Sequence, residues 1–507
     1  MKNTAKHSMH AVSLACLGII ASVHAHADDA HAMQANDGTG SAFYHFSQAP
    51  SATDFYETHR NTQIAAWSLR QIHQSLPLID DPWVVQVLSQ TAAQMNASVR
   101  TTPLYALPVI LDHNINAFAV PGGLIGIHTG TILSAEGMDE VASVLAHEIA
   151  HISQRHYEHR MENNKRLRAL QLGGLLATIA ASAAGGGDAA VAMMAGAQTA
   201  SAESAASHSR EHEREADRVG MQILAQSGYD AHAMPRFFGK LQRQININQA
   251  KNAFMPSFMQ SHPFTAERMS EAAARARSHP RPTQAALQAQ ATLFDQLYWR
   301  VKYLSKQTSE TELVANAKHS EGARLALMMH LADRGRDTEA MRVMTQIQSD
   351  RHDPAVCLTA AHIHTKAKRY QEAQRILSSC QAIYPERRDL RLALAQAYGH
   401  LQEPTRALAL ITEHTKDGSH DLMAWQIAYQ AYEQMAQQAD DQRAKDIATI
   451  HALRSRSQIE LWRGQYTGAL QSLAQAEQLA KSHEATSLIA MLQKDQASIQ
   501  SAQSFKP

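Results

Sequence analysis

The sequence predicts a mainly α protein in two parts: an α+β unit with a small antiparallel sheet, then an α-solenoid of stacked helix pairs. Three observations carry this. Apolar residues recur at three and four over residues 53–100, short β-rich runs follow over 104–132, and beyond about Ala315 a unit of 33 to 34 residues repeats. The 507 residues allow about three folding units at roughly 150 residues each. With 44% hydrophobic and 19% charged residues, the chain is neither a disordered polyelectrolyte nor a multi-span membrane protein. Lys plus Arg and Asp plus Glu balance at 47 each, so no net positive field gathers nucleic acid.

Taken in order, residues 1–27 read as a secretory signal. Lys2 and Lys6 precede an apolar run from Ala11 to Val23, and Ala25-His26-Ala27 offers a small-x-small cleavage site. Residues 28–52 are a polar lead-in. Ile64, Trp67, Leu69, Ile72 and Leu76, then Val84, Val87, Leu88 and Ala92, mark two amphipathic helices. Between Leu104 and Ile132 the runs of Val, Ile, Leu and Phe, punctuated by Pro121-Gly122-Gly123 and Gly130, predict the small antiparallel sheet, and helix resumes at Met138. Arg168 to Ala200 is rich in Ala, Gly, Leu and Met and broken at Gly185-Gly186-Gly187, so each piece is too short to span a membrane. It is expected to form a helical hairpin or cover beside the site, with peripheral membrane contact left open.

Residues 53–290 are assigned to the α+β unit, 291–314 to a helical connector and 315–507 to the repeats. Glu339-Ala340, Glu372-Ala373 and Arg406-Ala407 hold equivalent places, their alanines 33 and 34 residues apart, which is the tetratricopeptide period. A later unit, Arg463-Gly464-Gln465-Tyr466 with Ala469, returns out of step, 62 residues after Ala407. Such stacks leave a groove suited to holding another protein. After signal removal, Cys357 and Cys380 are the remaining cysteines, and export favours a disulfide between them; two buried thiols are the other reading. Cys357 is placed in the first helix of its pair and Cys380 just after the second.

The chemical signal is His147-Glu148-Ile149-Ala150-His151. On a helix the two histidines are one turn apart on one face and can bind one zinc ion, with Glu148 beside it. A zinc ion with three protein ligands keeps one position for water and lowers its pKa toward about 7, and the adjacent carboxylate can take the proton and pass it to a leaving amine. The flanking Val141, Val144, Leu145, Ala146, Ile149 and Ile152 make the helix apolar, an environment where a bare His-Glu-His set is costly. As composition alone, the segment Ser209 to Gly220 is a solvated helix face.

With Glu213-Arg214-Glu215-Ala216-Asp217 following the His-Glu-x-x-His string, and His262-Pro263 followed by Arg268, the chain resembles the M48 family of zinc metallopeptidases. The resemblance implies a zincin-type, gluzincin-like fold with one zinc per subunit. It implies Glu213 as third ligand, Asp217 as the carboxylate orienting a ligand histidine, and Glu211 and Glu215 as surface charges. It also implies His262 as a group able to cap the zinc, Arg268 near the site where it can stabilise an oxyanion, and Asn116, Ala117, Phe118 and Ala119 as a substrate-binding strand at the cleft edge. For relatives that carry repeats it further implies a periplasmic endopeptidase, with unfolded or stalled outer-membrane β-barrel proteins as clients and the barrel assembly machinery as partner. A non-proteolytic repeat chaperone or adaptor with a latent metal site is the alternative, and a membrane-anchored peptidase is a further one.

Overall fold

The computed structural model describes residues 52–99, 103–157, 202–250, 262 and 265–507. The signal segment, the lead-in up to residue 51, the Arg168 to Ala200 segment, Pro263 and Phe264 lie outside the described residues. Among the described residues the structure is mainly α with one small sheet.

The two amphipathic patterns form α1 (Ala52–Ser75) and α2 (Pro82–Val99). Trp83, Val84, Val87, Leu88, Ala92 and Met95 are buried along one face of α2, so its apolar stripe lies in the core. Three strands follow: β1 (Val109–Ile110), β2 (Ala117–Val120) and β3 (Leu124–His128). Their order is β1-β3-β2, with β2 antiparallel and β1 parallel to β3. The expected all-antiparallel sheet is therefore corrected to a mixed one. The chain turns after β1, where the Asn114 amide donates to Asp112 Oδ1 at 2.9 Å, crosses to the far edge as β2, and returns between them as β3. Gly122 and Gly123 make the β2–β3 turn with φ of 86° and 90°, and a Cβ on either would lie 2.3 or 2.2 Å from a backbone oxygen, so only glycine fits.

After α3 (Thr129–Ser134) comes α4 (Met138–Ser153), which runs through the middle of the unit with Val141 to His151 buried throughout. Against it pack α5 (Ala202–Gln226), α6 (Ala233–Ala250) and α8 (Gln284–Leu304), while α7 (Ala266–Ala276) packs on α5 and α6. Among the described residues no helix is long and apolar enough to cross a membrane.

A short α9 (Glu310–Asn316) leads into helix pairs: α10 (Glu321–Asp333) with α11 (Asp337–Met344), α12 (Pro354–Lys366) with α13 (Tyr370–Ile383), and α14 (Arg388–His400) with α15 (Pro404–Ile411). Then follow α16 (Leu422–Gln438), α17 (Gln442–Trp462), α18 (Tyr466–Ser482) and α19 (Thr486–Ser504). Gly335, Lys368, Gln402 and Gly464 turn between paired helices with positive φ. They are 33, 34 and 62 residues apart, the same intervals that separate Ala340, Ala373, Ala407 and Ala469, each fully buried. The late unit is out of step because α16 stands as an extra helix between α15 and the α17–α18 pair.

Cys357 and Cys380 are joined by a disulfide with a Cα separation of 6.6 Å. Cys380 lies inside the last turn of α13, not after it as expected from the sequence, so the bridge ties the two helices of one pair. The repeats also touch the first unit: Tyr105 stacks on His420 at 4.7 Å, and Arg70 Nε donates to the Tyr466 hydroxyl at 3.1 Å.

Candidate metal centre

Helix α4 presents His147 and His151 on one face, with Glu148 beside them; all three are buried. Helix α5 crosses it. Glu213, Asp217 and Gly220 fall at i, i+4 and i+7, so one stripe of α5 faces α4. Gly220 permits the close approach, since a Cβ there would lie 3.1 Å from Ala146 O and from the His147 N and Cα atoms.

The crossing brings donor atoms together. His147 Nε2 is 3.1 Å from His151 Nε2 and 3.4 Å from Glu213 Oε2, and His151 Nε2 is 3.4 Å from Glu213 Oε1. His262 joins them, its Nδ1 lying 3.1 Å from Glu213 Oε1 and 3.4 Å from His147 Nε2. Atoms of His147, His151, Glu213 and His262 all lie within 4.8 Å of one another, and all four residues are buried.

This set fits a metal ion. Imidazole nitrogens and a carboxylate oxygen held about 2.0–2.2 Å from a tetrahedral ion lie roughly 3.3 Å from each other, matching the separations found. Lone pairs facing one another in a dry interior are otherwise costly. Burial by itself would raise the Glu213 carboxyl, but His262, His151 and His147 outweigh it and hold that carboxyl well below the ordinary range, so the group is an anion suited to a cation. Burial pushes His151 well below its ordinary value, which keeps its imidazole neutral, the form that binds a metal.

The remaining predicted residues surround this centre. His147 Nδ1 faces Asp217 Oδ1 at 3.1 Å. Arg268 is buried in the first turn of α7, which Thr265 caps by accepting from the Arg268 amide at 3.2 Å. Its guanidinium donates from Nε and Nη2 to Asp217 at 2.7 and 2.8 Å, and its Nη1 lies 3.0 Å from Glu213 Oε2. Arg268 thus lies beside the donor cluster, and these contacts go to the Asp217 and Glu213 carboxylates. Glu148 is wholly buried, faces the backbone amide of Ala119, and has Oε1 3.4 Å from His262 Nε2. Burial raises its carboxyl above the ordinary value, against the pull of the His262 and His147 imidazoles.

Ala117, Phe118 and Ala119 lie in β2, an edge strand of the sheet, beside α4. The Phe118 ring packs over Gly126 in the core, so that residue offers backbone to the edge and not its side chain. Asn116 precedes the strand, and its backbone is already paired: the N–H donates to Thr131 Oγ1 at 2.8 Å and the carbonyl accepts from Thr131 Oγ1 at 2.7 Å.

Two residues escaped the sequence reading. His156 Nδ1 lies 3.0 Å from His151 Nδ1, and its Nε2 lies 3.3 Å from Glu215 Oε2. Glu215, expected as a plain surface charge, is therefore a partner of a buried histidine.

A helix-borne His-Glu-x-x-His pair completed by a glutamate from a second helix defines a metal-dependent peptidase. The model of Peptidase family M48 matches residues 79–276, which contain all of these groups. Over 397 residues the chain is 30% identical to the beta-barrel assembly-enhancing protease of Yersinia pestis, covering 72% of this chain and 75% of that protein. The protein of the same name from Escherichia coli (strain K12) is 26% identical over 380 residues, 73% of this chain and 76% of the relative. A putative protein of that name from Vibrio cholerae is 35% identical over 218 residues, 42% of this chain and 43% of the relative, so this match spans under half of that protein. The chain belongs to the M48 family of metallopeptidases.

Proposed function

We propose that the protein is a periplasmic zinc endopeptidase that degrades misfolded or stalled outer-membrane proteins and, through its helix-pair surface, assists their assembly. The convergence of His147, His151 and Glu213 beside buried Glu148 carries the enzymatic part. The clients and the compartment rest on the relatives' printed name, beta-barrel assembly-enhancing protease, together with the signal read in residues 1–27. Contact with barrel assembly machinery belongs to the same reading.

His147, His151 and Glu213 would hold one zinc ion, which supplies the Lewis acidity that amide hydrolysis at neutral pH requires. The β2 edge binds an extended client segment through backbone hydrogen bonds, which makes selection largely blind to sequence. Glu148 takes the proton from the attacking water as the carbon–oxygen bond forms, and returns it to the amine as the carbon–nitrogen bond breaks. Asp217 Oδ1, 3.1 Å from His147 Nδ1, would keep the ring hydrogen on that nitrogen and leave Nε2 to bind the ion. Arg268 fixes Asp217 and Glu213, and its charge is available to a developing oxyanion.

His262 occupies the remaining side of the donor cluster and has to withdraw before a client peptide reaches Glu148. That observation favours a latent enzyme, and it is also what supports the second reading, a chaperone or adaptor that seldom cuts. Comparing wild type with Glu148→Gln on casein or a stalled barrel protein separates the two. The enzyme reading expects a fall of about 10²- to 10⁴-fold; equal residual cleavage in both proteins rejects it.

A further inference from the structure

The two ligand imidazoles of α4 are braced differently. His147 is backed by a buried carboxylate, Asp217, which Arg268 clamps. His151 is backed by another imidazole. His156 is 1% exposed, with Nδ1 3.0 Å from His151 Nδ1 and Nε2 3.3 Å from Glu215 Oε2. Glu215 in turn lies 3.5 Å from Arg218 Nη2 on the same helix. The His156 ring meets His151 edge-on at 5.0 Å and stacks flat on His212 at 4.4 Å, which fixes its plane.

The backbone builds this contact. On an uninterrupted helix, five residues at 100° each would carry position 156 about 140° around the axis from His151. Helix α4 instead ends at Ser153, and Arg155 adopts a left-handed conformation with φ of 53°. The chain turns there and brings His156 back beneath the ligand ring.

The protons then follow from one requirement. A metal at His151 Nε2 needs a bare lone pair, so Nδ1 carries the hydrogen and donates to His156 Nδ1. His156 is then protonated on Nε2, which donates to the Glu215 carboxylate. We infer that His156 and Glu215 are positioning residues for the metal centre, a two-link chain that fixes the tautomer and ring rotation of His151. The inference rests on the metal-site reading above. It divides the centre's support between a buried clamp on His147 and a chain on His151 that ends on a carboxylate 39% exposed.

The test measures Zn²⁺ affinity of the full chain by chelator competition and the visible absorption of the Co²⁺-loaded protein. His156→Leu is expected to lose about 10- to 100-fold in affinity and to change the Co²⁺ bands, while the metal-free melting temperature stays near wild type. His156→Asn, whose side-chain oxygen can accept where Nδ1 did, is expected to recover most of the affinity. Wild-type affinity and spectrum in His156→Leu overturn the proposal, and so does a loss that Asn fails to rescue, because packing alone then accounts for it. If His156→Leu does not fold, Glu215→Ala decides: a several-fold loss supports the chain and an unchanged affinity overturns it. Failure of the wild type to bind metal at all would reject the underlying site before any variant is compared.

Discussion

Gly220 sets how closely α5, which carries Glu213 and Asp217, lies on α4, and enlarging it tests whether that approach builds the proposed centre. A Cβ at this position would be 3.1 Å from Ala146 O, His147 N and His147 Cα. Ordinary contacts to carbon lie near 3.5–4.0 Å, and the obstructing atoms are backbone that no rotamer can move. Helix α5 therefore has to retreat by a few tenths of an ångström in Gly220→Ala and further in Gly220→Val. Asp217 and Glu213, one and two turns away, move with it, against a His147–Asp217 separation of 3.1 Å. Overpacking costs about 1–3 kcal/mol, while alanine recovers about 1 kcal/mol of helix propensity over glycine. The metal-free Ala variant should then melt within several degrees of wild type. Its metal affinity should nonetheless fall by roughly tenfold, the lower end of what loss of an orienting partner costs, and Val should lower it more. Calorimetry of the metal-free protein and chelator competition give the two numbers. A folded Gly220→Val with wild-type metal affinity would refute the argument that the helix crossing assembles the site.

Two further outcomes follow from the same geometry. His262→Ala removes the group that closes the donor cluster, so basal proteolysis of casein is expected to rise; unchanged or lower activity rejects the capping role. Cys357 and Cys380 are 23 positions apart in the chain, which in the chain-entropy model corresponds to about 3 kcal/mol. Alkylation should add mass after reduction alone, and reduction should lower the melting temperature by several degrees; free labelling without reductant contradicts the bridge.

Much of this was legible in the sequence because helices convert spacing into direction. His147 and His151 are four residues apart in an apolar run, so their face and their neighbour Glu148 follow from the helical period alone. The repeat was countable for the same reason: the buried alanines recur with the turn residues. Glu213 and Asp217 sit on a segment whose composition reads as a solvated face, and only a motif of the family singled them out. Their burial comes from the approach that Gly220 allows, a tertiary event. His156 stayed hidden because its contact depends on a left-handed residue, Arg155, that no periodicity reveals, and Glu215 stayed hidden with it. The parallel pairing of β1 was equally unreadable, since a two-residue strand carries no alternation from which direction can be inferred. The out-of-step final unit needed α16 to be seen as an inserted helix.

The central claim is that two imidazoles from α4 and a carboxylate from α5 hold one divalent ion. Elemental analysis of the purified full chain, beside folded His147→Ala and Glu213→Ala variants, tests it directly. The account predicts close to one zinc per chain in the wild type and little in either variant. A wild type without stoichiometric metal, or variants that keep the same amount, would contradict it.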